Sequence, residues 1–221
     1  MGVRVIVFLV VLLGNWIEGQ CSFRIGVLKY RGGDWYANLR TSLPNLIEFV
    51  NKELNLNICE EQGIVEPSSA EILTYPFIHI TGHGFIDFSE EEAKNLREYL
   101  LGGGFIHISD NYGLDKYVRQ AFKKVFPELD FVEILPPHPI FNYPYRFPEG
   151  LPKIHEHDGK RPQLFALIYE GRILVLYDYE TDLGDGWEDP TVHNDPPEKH
   201  IAALKMGANI IYFVFTSRYM F

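Results

Sequence analysis

The sequence predicts a three-layer α/β fold: a parallel sheet covered by helices on both faces, with an appended β-hairpin, long polar loops and a buried C-terminal helix. Three observations predict it. Short apolar runs (Phe23–Tyr30, Phe77–Thr81, Phe105–Ile108) read as strands. Between them lie stretches whose apolar residues recur at three- and four-residue spacing, the period of a helix packed on one side. Strands alternating with helices in this way specify a parallel sheet with right-handed crossovers.

The elements follow in order. Phe23 to Tyr30 is the first strand, and Arg31 to Asp34 is a polar loop after it. Leu43, Leu46, Ile47, Val50 and Leu54 mark a helix, started by Ser42 with Pro44 close behind. Leu56 to Ile58 begins a second strand. Phe77 to Thr81 is a third, ending in Gly82-His83-Gly84. Ser89 and Glu92 form a capping box for the next helix, whose apolar face is Ala93, Leu96, Tyr99 and Leu100. Gly102-Gly103-Gly104 stops it. Phe105 to Ile108 is a fourth strand, followed by Asp110-Asn111. Tyr117, Val118, Ala121, Phe122 and Val125 mark a helix closed by Pro127, and Phe131 to Leu135 is a fifth strand. Pro136 to Pro162 is a long excursion rich in proline and aromatics. Gln163–Tyr169 and Arg172–Tyr179 then flank Glu170-Gly171, a hairpin turn. Asp195 caps the last helix, with Pro196 at its first position and Glu198 at its third. Ile201, Leu204, Ala208, Ile211 and Phe215 form its apolar face, and Gly207 is a point of close approach. No internal repeat or low-complexity linker divides residues 20–221, which read as one domain.

Composition narrows the function. The chain has 221 residues, 46% of them apolar and 14% aromatic, which excludes a disordered chain. Its net charge is −10, so binding nucleic acid through phosphates is disfavoured and a cationic ligand or metal ion is suited. Arg4, the apolar run Val5 to Leu13 and the polar turn Gly14 to Gly19 have the shape of a secretory signal, giving a signal peptide over 1–19. The run is too short to span a bilayer, so the mature chain carries no membrane span. The expected location is therefore periplasmic or extracellular. An uncleaved N-terminal anchor is the alternative. Export bears on the two cysteines, Cys21 and Cys59, which lie near the starts of the first two strands and so on one sheet edge. A disulfide between them and two free buried thiols are both open readings.

Ligands of open parallel sheets bind beyond the carboxyl ends of the strands. Asp34 and Trp35, His83 between its glycines, and Asp110 all sit in such loops. His83 and Asp110 are the catalytic candidates. Ser109 lacks the flanking glycines of a nucleophile elbow, since His107 and Asn111 stand there. His79 and His107 fall within strands and read as core histidines. The segment Lys153–Asp195 is the richest in chemistry. His155 and His157 are two apart and project to one face if extended; with His193 they form a candidate set of metal ligands. Asp182, Asp185 and Glu188 add oxygen donors for a divalent metal. Trp187 is a candidate stacking surface. His138 opens the aromatic excursion and is a further binding candidate.

Three long motifs carry a resemblance: HPIFNYPYRFPEGLPKIHEHDG (His138 to Gly159), YETDLGDGWEDPTVHNDPPE (Tyr179 to Glu198) and ALKMGANIIYF (Ala203 to Phe213). From about Phe23 onward the chain resembles the bacterial domain-of-unknown-function 4159 family. Its earlier half, with TGHG, a capped helix, a triple glycine and FIHISD, is similar to the class I glutamine amidotransferase-like superfamily, which implies a flavodoxin-like sheet. Those amidotransferases use a cysteine nucleophile on the strand-to-helix turn. Here that turn is Ser109-Asp110-Asn111, so no glutaminase activity is expected. The family's members resemble exported or membrane-tethered proteins.

Two functions compete. The missing nucleophile, the acidic surface and the aromatics Phe141, Tyr143, Tyr145 and Phe147 favour a non-catalytic binding or assembly module of the cell envelope, whose partner is an envelope protein or small ligand. The alternative is a metal-assisted hydrolase using His83, Asp110 and the His155–Asp189 cluster. A weaker third reading is carbohydrate binding, which requires exposed aromatic faces at Trp187 and the loop tyrosines. Convergence of the polar loops over the strand ends would favour the hydrolase.

Overall fold

The computed structural model describes residues 21–216, so the signal segment predicted over 1–19 lies outside them. In chain order the elements are β1 (Ile25–Leu28), β2 (Arg31–Gly32), α1 (Ser42–Leu54), β3 (Gly63–Val65), β4 (Phe77–Ile80), β5 (Ile86–Asp87), α2 (Glu90–Leu101), β6 (Ile106–Ser109), α3 (Asp115–Val125), β7 (Val132–Ile134), β8 (Gln163–Tyr169), β9 (Arg172–Tyr179), α4 (Leu183–Gly186), α5 (Pro190–His193) and α6 (Pro197–Thr216). Strands β1, β4 and β6 are buried at every position. A strand covered on both faces needs side chains without solvent preference on either side, which is why these segments read as continuous apolar runs.

The main sheet has seven strands in the order β3-β1-β4-β6-β9-β8-β7. Strands β3, β1, β4, β6 and β9 are mutually parallel. β8 runs antiparallel to β9, and β7 antiparallel to β8. The parallel order is compatible with a flavodoxin-like fold, in which the chain reverses direction of travel beside β1. One core unites α1, α6 and one sheet face through Leu46, Ile47, Val50, Leu204, Ala208 and Ile211. The other unites α2 and α3 with the opposite face through Leu96, Leu100, Val118 and Phe122. Ser89 and Glu92 make both bonds of the capping box.

Several expectations need correction. Leu56–Ile58 does not open the second strand. Asn51 donates to the Ile58 carbonyl and accepts from its N–H, so Ile58 makes only an isolated bridge to Phe23, and the pairing strand is β3. The fifth predicted strand, β7, is not next to β6; it forms the far edge beyond β8. The long excursion of residues 136–162 gives the chain room to return, and β9 takes the place beside β6. The pair β8–β9 is thus part of the sheet rather than an appendage, joined at Glu170 and Gly171, both with positive φ. The loops after β1 and β4 are tied by the short antiparallel pair β2–β5. Helix α6 starts one residue later than predicted, because the Asp195 carboxylate faces His155 instead of capping it. Ile201 and Phe215 on that helix are exposed. Cys21 and Cys59 form a disulfide.

Gly207 lies where α6 crosses α1 and Trp187. A Cβ there would stand 2.6 Å from Leu46 Cδ1 and 3.0 Å from the Trp187 ring. The Gly207→Ala variant is expected to lose about 1–3 kcal/mol through overpacking, despite alanine's better helix propensity. Urea denaturation of the two proteins checks this; equal midpoints would show that the contact relaxes freely.

Candidate functional site at the strand ends

Four loops leave the carboxyl ends of β1, β4, β6 and β9, and side-chain amides and hydroxyls tie them together. After β1, Asn38 donates to Thr81 Oγ1 at 3.0 Å and to Asp185 Oδ1 at 3.1 Å. After β4, Thr81 Oγ1 donates to Asn111 Oδ1 at 2.5 Å. After β6, Asn111 Nδ2 donates to the same Asp185 Oδ1. Ser109 Oγ donates to Asp178 Oδ1 at 3.0 Å and accepts from the Gly184 N–H at 2.9 Å. Ser42, at the start of α1, donates to the Gly184 carbonyl at 2.6 Å. The segment after β9 is therefore drawn across the ends of the other strands. Gly82 lets the β4 loop fit: its φ is 131°, and a Cβ would stand 2.4 Å from the Tyr30 hydroxyl.

The strand β9 and its loop bring carboxylates under the histidine loops. Asp182 is 2% exposed, and Asp185 and Glu188 are each 7% exposed. His155 places Nδ1 2.8 Å from Asp182 Oδ2 and Nε2 3.0 Å from Asp195 Oδ2. His157 Nε2 lies 3.5 Å from Asp182 Oδ2. His193 Nε2 lies 2.8 Å from Glu188 Oε2 and 3.5 Å from Asp185 Oδ2. The His155 and His193 rings are 5.0 Å apart. Burial alone would raise Asp182, but hydrogen bonds and charge from His155 and His157 outweigh it and lower its pKa. The hydrogen bond that His155 donates to Asp182 heads the causes that push His155 up to about 9. Burial, reinforced by the Asp182 charge, raises Asp185. Within this cluster the buried atoms Asp182 Oδ1 and His157 Nδ1 have no hydrogen-bond partner. Glu180 and Asp182 both hold left-handed backbone, at φ 59° and 66°. Glycine would carry that conformation without strain, so carboxylates here cost roughly 1 kcal/mol each in backbone energy.

The structure gathers His83, Asp34, Asp182, Asp185, Glu188, His155, His157 and His193 on this end of the sheet. His83 Nδ1 pairs with Asp34 Oδ2 at 2.9 Å, and its neighbour by a backbone bridge, Tyr112, stacks edge-on against His157 at 5.3 Å. Burial pushes the Asp34 carboxyl up, but the His83 backbone N–H and ring together hold it below its usual value. Trp35 is half-buried and packs edge-on against Tyr36. Asp110 lies beneath the site rather than in it: Leu114 N–H and Tyr177 O–H occupy its two oxygens. Ser109 is fully buried, with its hydroxyl committed. Two binding candidates are corrected. Trp187 is 1% exposed, donates to the Ala203 carbonyl and packs on His79 and His107, so it offers no stacking surface. His138 caps a 3₁₀ turn and packs on Phe213, about 24 Å along α6 from its first residue at a rise of ~1.5 Å per residue.

Sequence reasoning missed Asn38, Thr81 and Asn111, which position Asp185, and Asp195, which faces His155. Amides and hydroxyls on separate loops carry no pattern that betrays a shared partner. The buried histidines are only partly satisfied. His79 and His107 meet Nδ1 to Nδ1 at 3.1 Å, leaving His79 Nε2 unpartnered. His107 Nε2 is 3.0 Å from Asp178 Oδ2 without the alignment of a hydrogen bond. Burial lowers His107 to about 3 and raises Asp178 well above its usual value, so loss of hydration disfavours the charged form of each.

Residues 24–215 match the family described as Domain of unknown function (DUF4159). Among curated proteins none matches.

Asp110 gives a pH test. Burial raises its carboxyl from 3.8 to about 6, against hydrogen bonds from Leu114 N–H and Tyr177 and the charge of His157, and with the Asp178 charge adding to the rise. A folded pKa above the unfolded one favours the folded state below pH 3.8, and that advantage is lost as pH rises through about 6. Two pH units correspond to about 3 kcal/mol as an upper bound. Asp110→Asn keeps the shape and cannot ionise. It is expected to match the parent at pH 4 and to exceed it in stability above pH 7, measured by urea denaturation across that range. A variant less stable at every pH would contradict this assignment.

Proposed function

Because the chain belongs to the Domain of unknown function (DUF4159) family, whose description names no reaction, its chemistry has to be read from its own residues, and we propose a hydrolase assisted by a divalent metal ion. Its site lies at the strand carboxyl ends, under the loops of residues 155–195. The observation that carries this reading is the convergence of buried Asp182, Asp185 and Glu188 with His155 and His193, beside a carboxylate oxygen and an imidazole nitrogen that lack partners. Carboxylates buried together repel and lose hydration, and a cation offsets both costs. Imidazole and carboxylate donors suit zinc, manganese or iron.

Such an ion supplies a water whose pKa is lowered towards 7 and polarises the bond to be cleaved. That chemistry needs no protein nucleophile, which agrees with a committed Ser109 and with both cysteines held in the disulfide. His155, Asp182, Asp185, Glu188 and His193 are the residues that would hold it. His83, oriented by Asp34 and half-exposed, is placed at the rim to move a proton to or from the leaving group.

A second reading, a non-catalytic binding or assembly module of the cell envelope, draws on exposed Tyr36, Phe85 and Tyr112 near the same loops. The buried ligand cluster, which a docking surface does not require, places it second. Export is part of the proposal and is supported by the disulfide. A relationship to the class I glutamine amidotransferase-like superfamily is supported by the order of the parallel strands, and no glutaminase activity is assigned.

Elemental analysis of the purified protein, beside a His155→Ala/His157→Ala variant, tests the reading. Stoichiometric metal is expected, with the variant binding at least one equivalent about tenfold more weakly. Chelator-sensitive cleavage of chromogenic ester and phosphoester substrates is expected alongside. A metal-free protein after supplementation with zinc and manganese, equally stable in both forms, would sink it.

A further inference from the structure

We infer that this site holds two divalent cations, with Asp185 as the carboxylate shared between them; the inference rests on the metal reading above and sharpens it. The ligand atoms fall into two sets. In one, donors from His155, Asp182 and Asp185 all lie within 4.8 Å of one another. In the other, donors from Asp185, Glu188 and His193 do so. The sets overlap only at Asp185. Each supplies one imidazole and two carboxylates, which is the donor number of an open catalytic site with positions left for water.

Asp185 is built for the shared role. Its Oδ1 takes two amide donors, Asn38 Nδ2 and Asn111 Nδ2. Those bonds fix the carboxylate plane and leave Oδ2 facing His193 Nε2 at 3.5 Å. An oxygen held in that way can lie between two ions about 3.5–4 Å apart, the separation of two-metal hydrolytic sites. Hydrogen bonds that orient a ligating carboxylate are themselves part of such a centre.

An independent observation points to a ligand at the first set. Asp182 is 2% exposed, and its Oδ1 is buried without any hydrogen-bond donor. The neighbouring His157 side chain is 6% exposed, and its Nδ1 is buried and unpartnered as well. A buried carboxylate oxygen with no partner loses its hydration uncompensated, and a cation bound by that oxygen removes the cost. At the second set, Glu188 and His193 already touch at 2.8 Å, and Thr41 Oγ1 lies 3.4 Å from the other Glu188 oxygen. Charge agrees with two ions. Asp182, Asp185 and Glu188 bring three carboxylates into a buried space, and Asp195 brings a fourth to the edge. Two divalent ions and one bridging hydroxide would balance three of them. The fitting substrates are those whose transition state spreads negative charge over oxygens that both ions can clamp, such as phosphoesters.

The test is manganese binding to the metal-stripped full chain, read by elemental analysis and by electron paramagnetic resonance, with no substrate present. Two equivalents with an exchange-coupled signal are expected. Glu188→Gln and His155→Ala are each expected to retain one equivalent with an uncoupled signal. Asp185→Asn is expected to lose the coupling and to weaken both sites about ten- to a hundred-fold. Circular dichroism spectra and melting temperatures identify any variant that fails to fold, and Glu188→Gln keeps shape should the others not fold. One equivalent in the parent protein overturns the shared-carboxylate inference and leaves the metal-assisted reading standing. No bound manganese or zinc overturns both. Two equivalents that stay coupled in Asp185→Asn overturn the role given to Asp185.

Discussion

Asp185 is held at 7% exposure by amides from two different loops, Asn38 after β1 and Asn111 after β6. A buried carboxylate is tolerated only when hydrogen bonds or a cation replace the water it loses. Here the two amides do so on one oxygen, and Thr81 in turn sits between those amides. The result is one connected polar layer across the ends of β1, β4, β6 and β9. Removing one member leaves others buried and unpaired, so the loops stand or fall together.

The topology makes this layer available. Chain reversal beside β1 sends the connections after β1 and β4 away in opposite directions, the point at which open parallel sheets take ligands. Asn38 and Thr81 lie buried at that point and are hydrogen-bonded to each other. The insertion of β9 beside β6 then sets Asp178 opposite Ser109 in the parallel register. From there the chain turns through left-handed Glu180 and Asp182 and returns over the strand ends as α4. Beneath it, Trp187 packs on the stacked rings of His79 and His107 and anchors the layer to the apolar core. The strain in the turn is local and is opposed by Ser42, Ser109 and Trp187, which hold the segment after it from three sides.

Much of the fold was legible because it rests on periodicity. Continuous apolar runs marked β1, β4 and β6, and helical spacing marked α1, α2, α3 and α6. The Ser89–Glu92 box located the start of α2, where local hydrogen bonds alone decide the matter. What periodicity does not carry is partnership. The run Leu56–Ile58 looked like a strand, but the Asn51 side chain took Ile58's backbone groups. Trp187 looked like an exposed platform in a polar segment, yet a polar segment folded back on the sheet has an inside. His138 stood in a motif rich in aromatics and lies far along α6 from the site.

By itself the sequence determined the layer architecture, the acidic character and the set of residue types from which a site had to be made. Histidines and carboxylates of the segment 153–195 were recognisable as chemistry because too many of them occur for a solvated loop alone. Only the tertiary structure decided that they lie at the same end of the sheet as Asp34 and His83, that Asp110 and Ser109 lie beneath them, and that Asp185 is the common member of two ligand sets. The physical reason is sequence distance. Asn38 and Asp185 are 147 residues apart, and Asn111 and Asp185 are 74 apart. Local propensity acts over a few residues, whereas contacts at such separations exist only once the sheet has formed and its strand order is set.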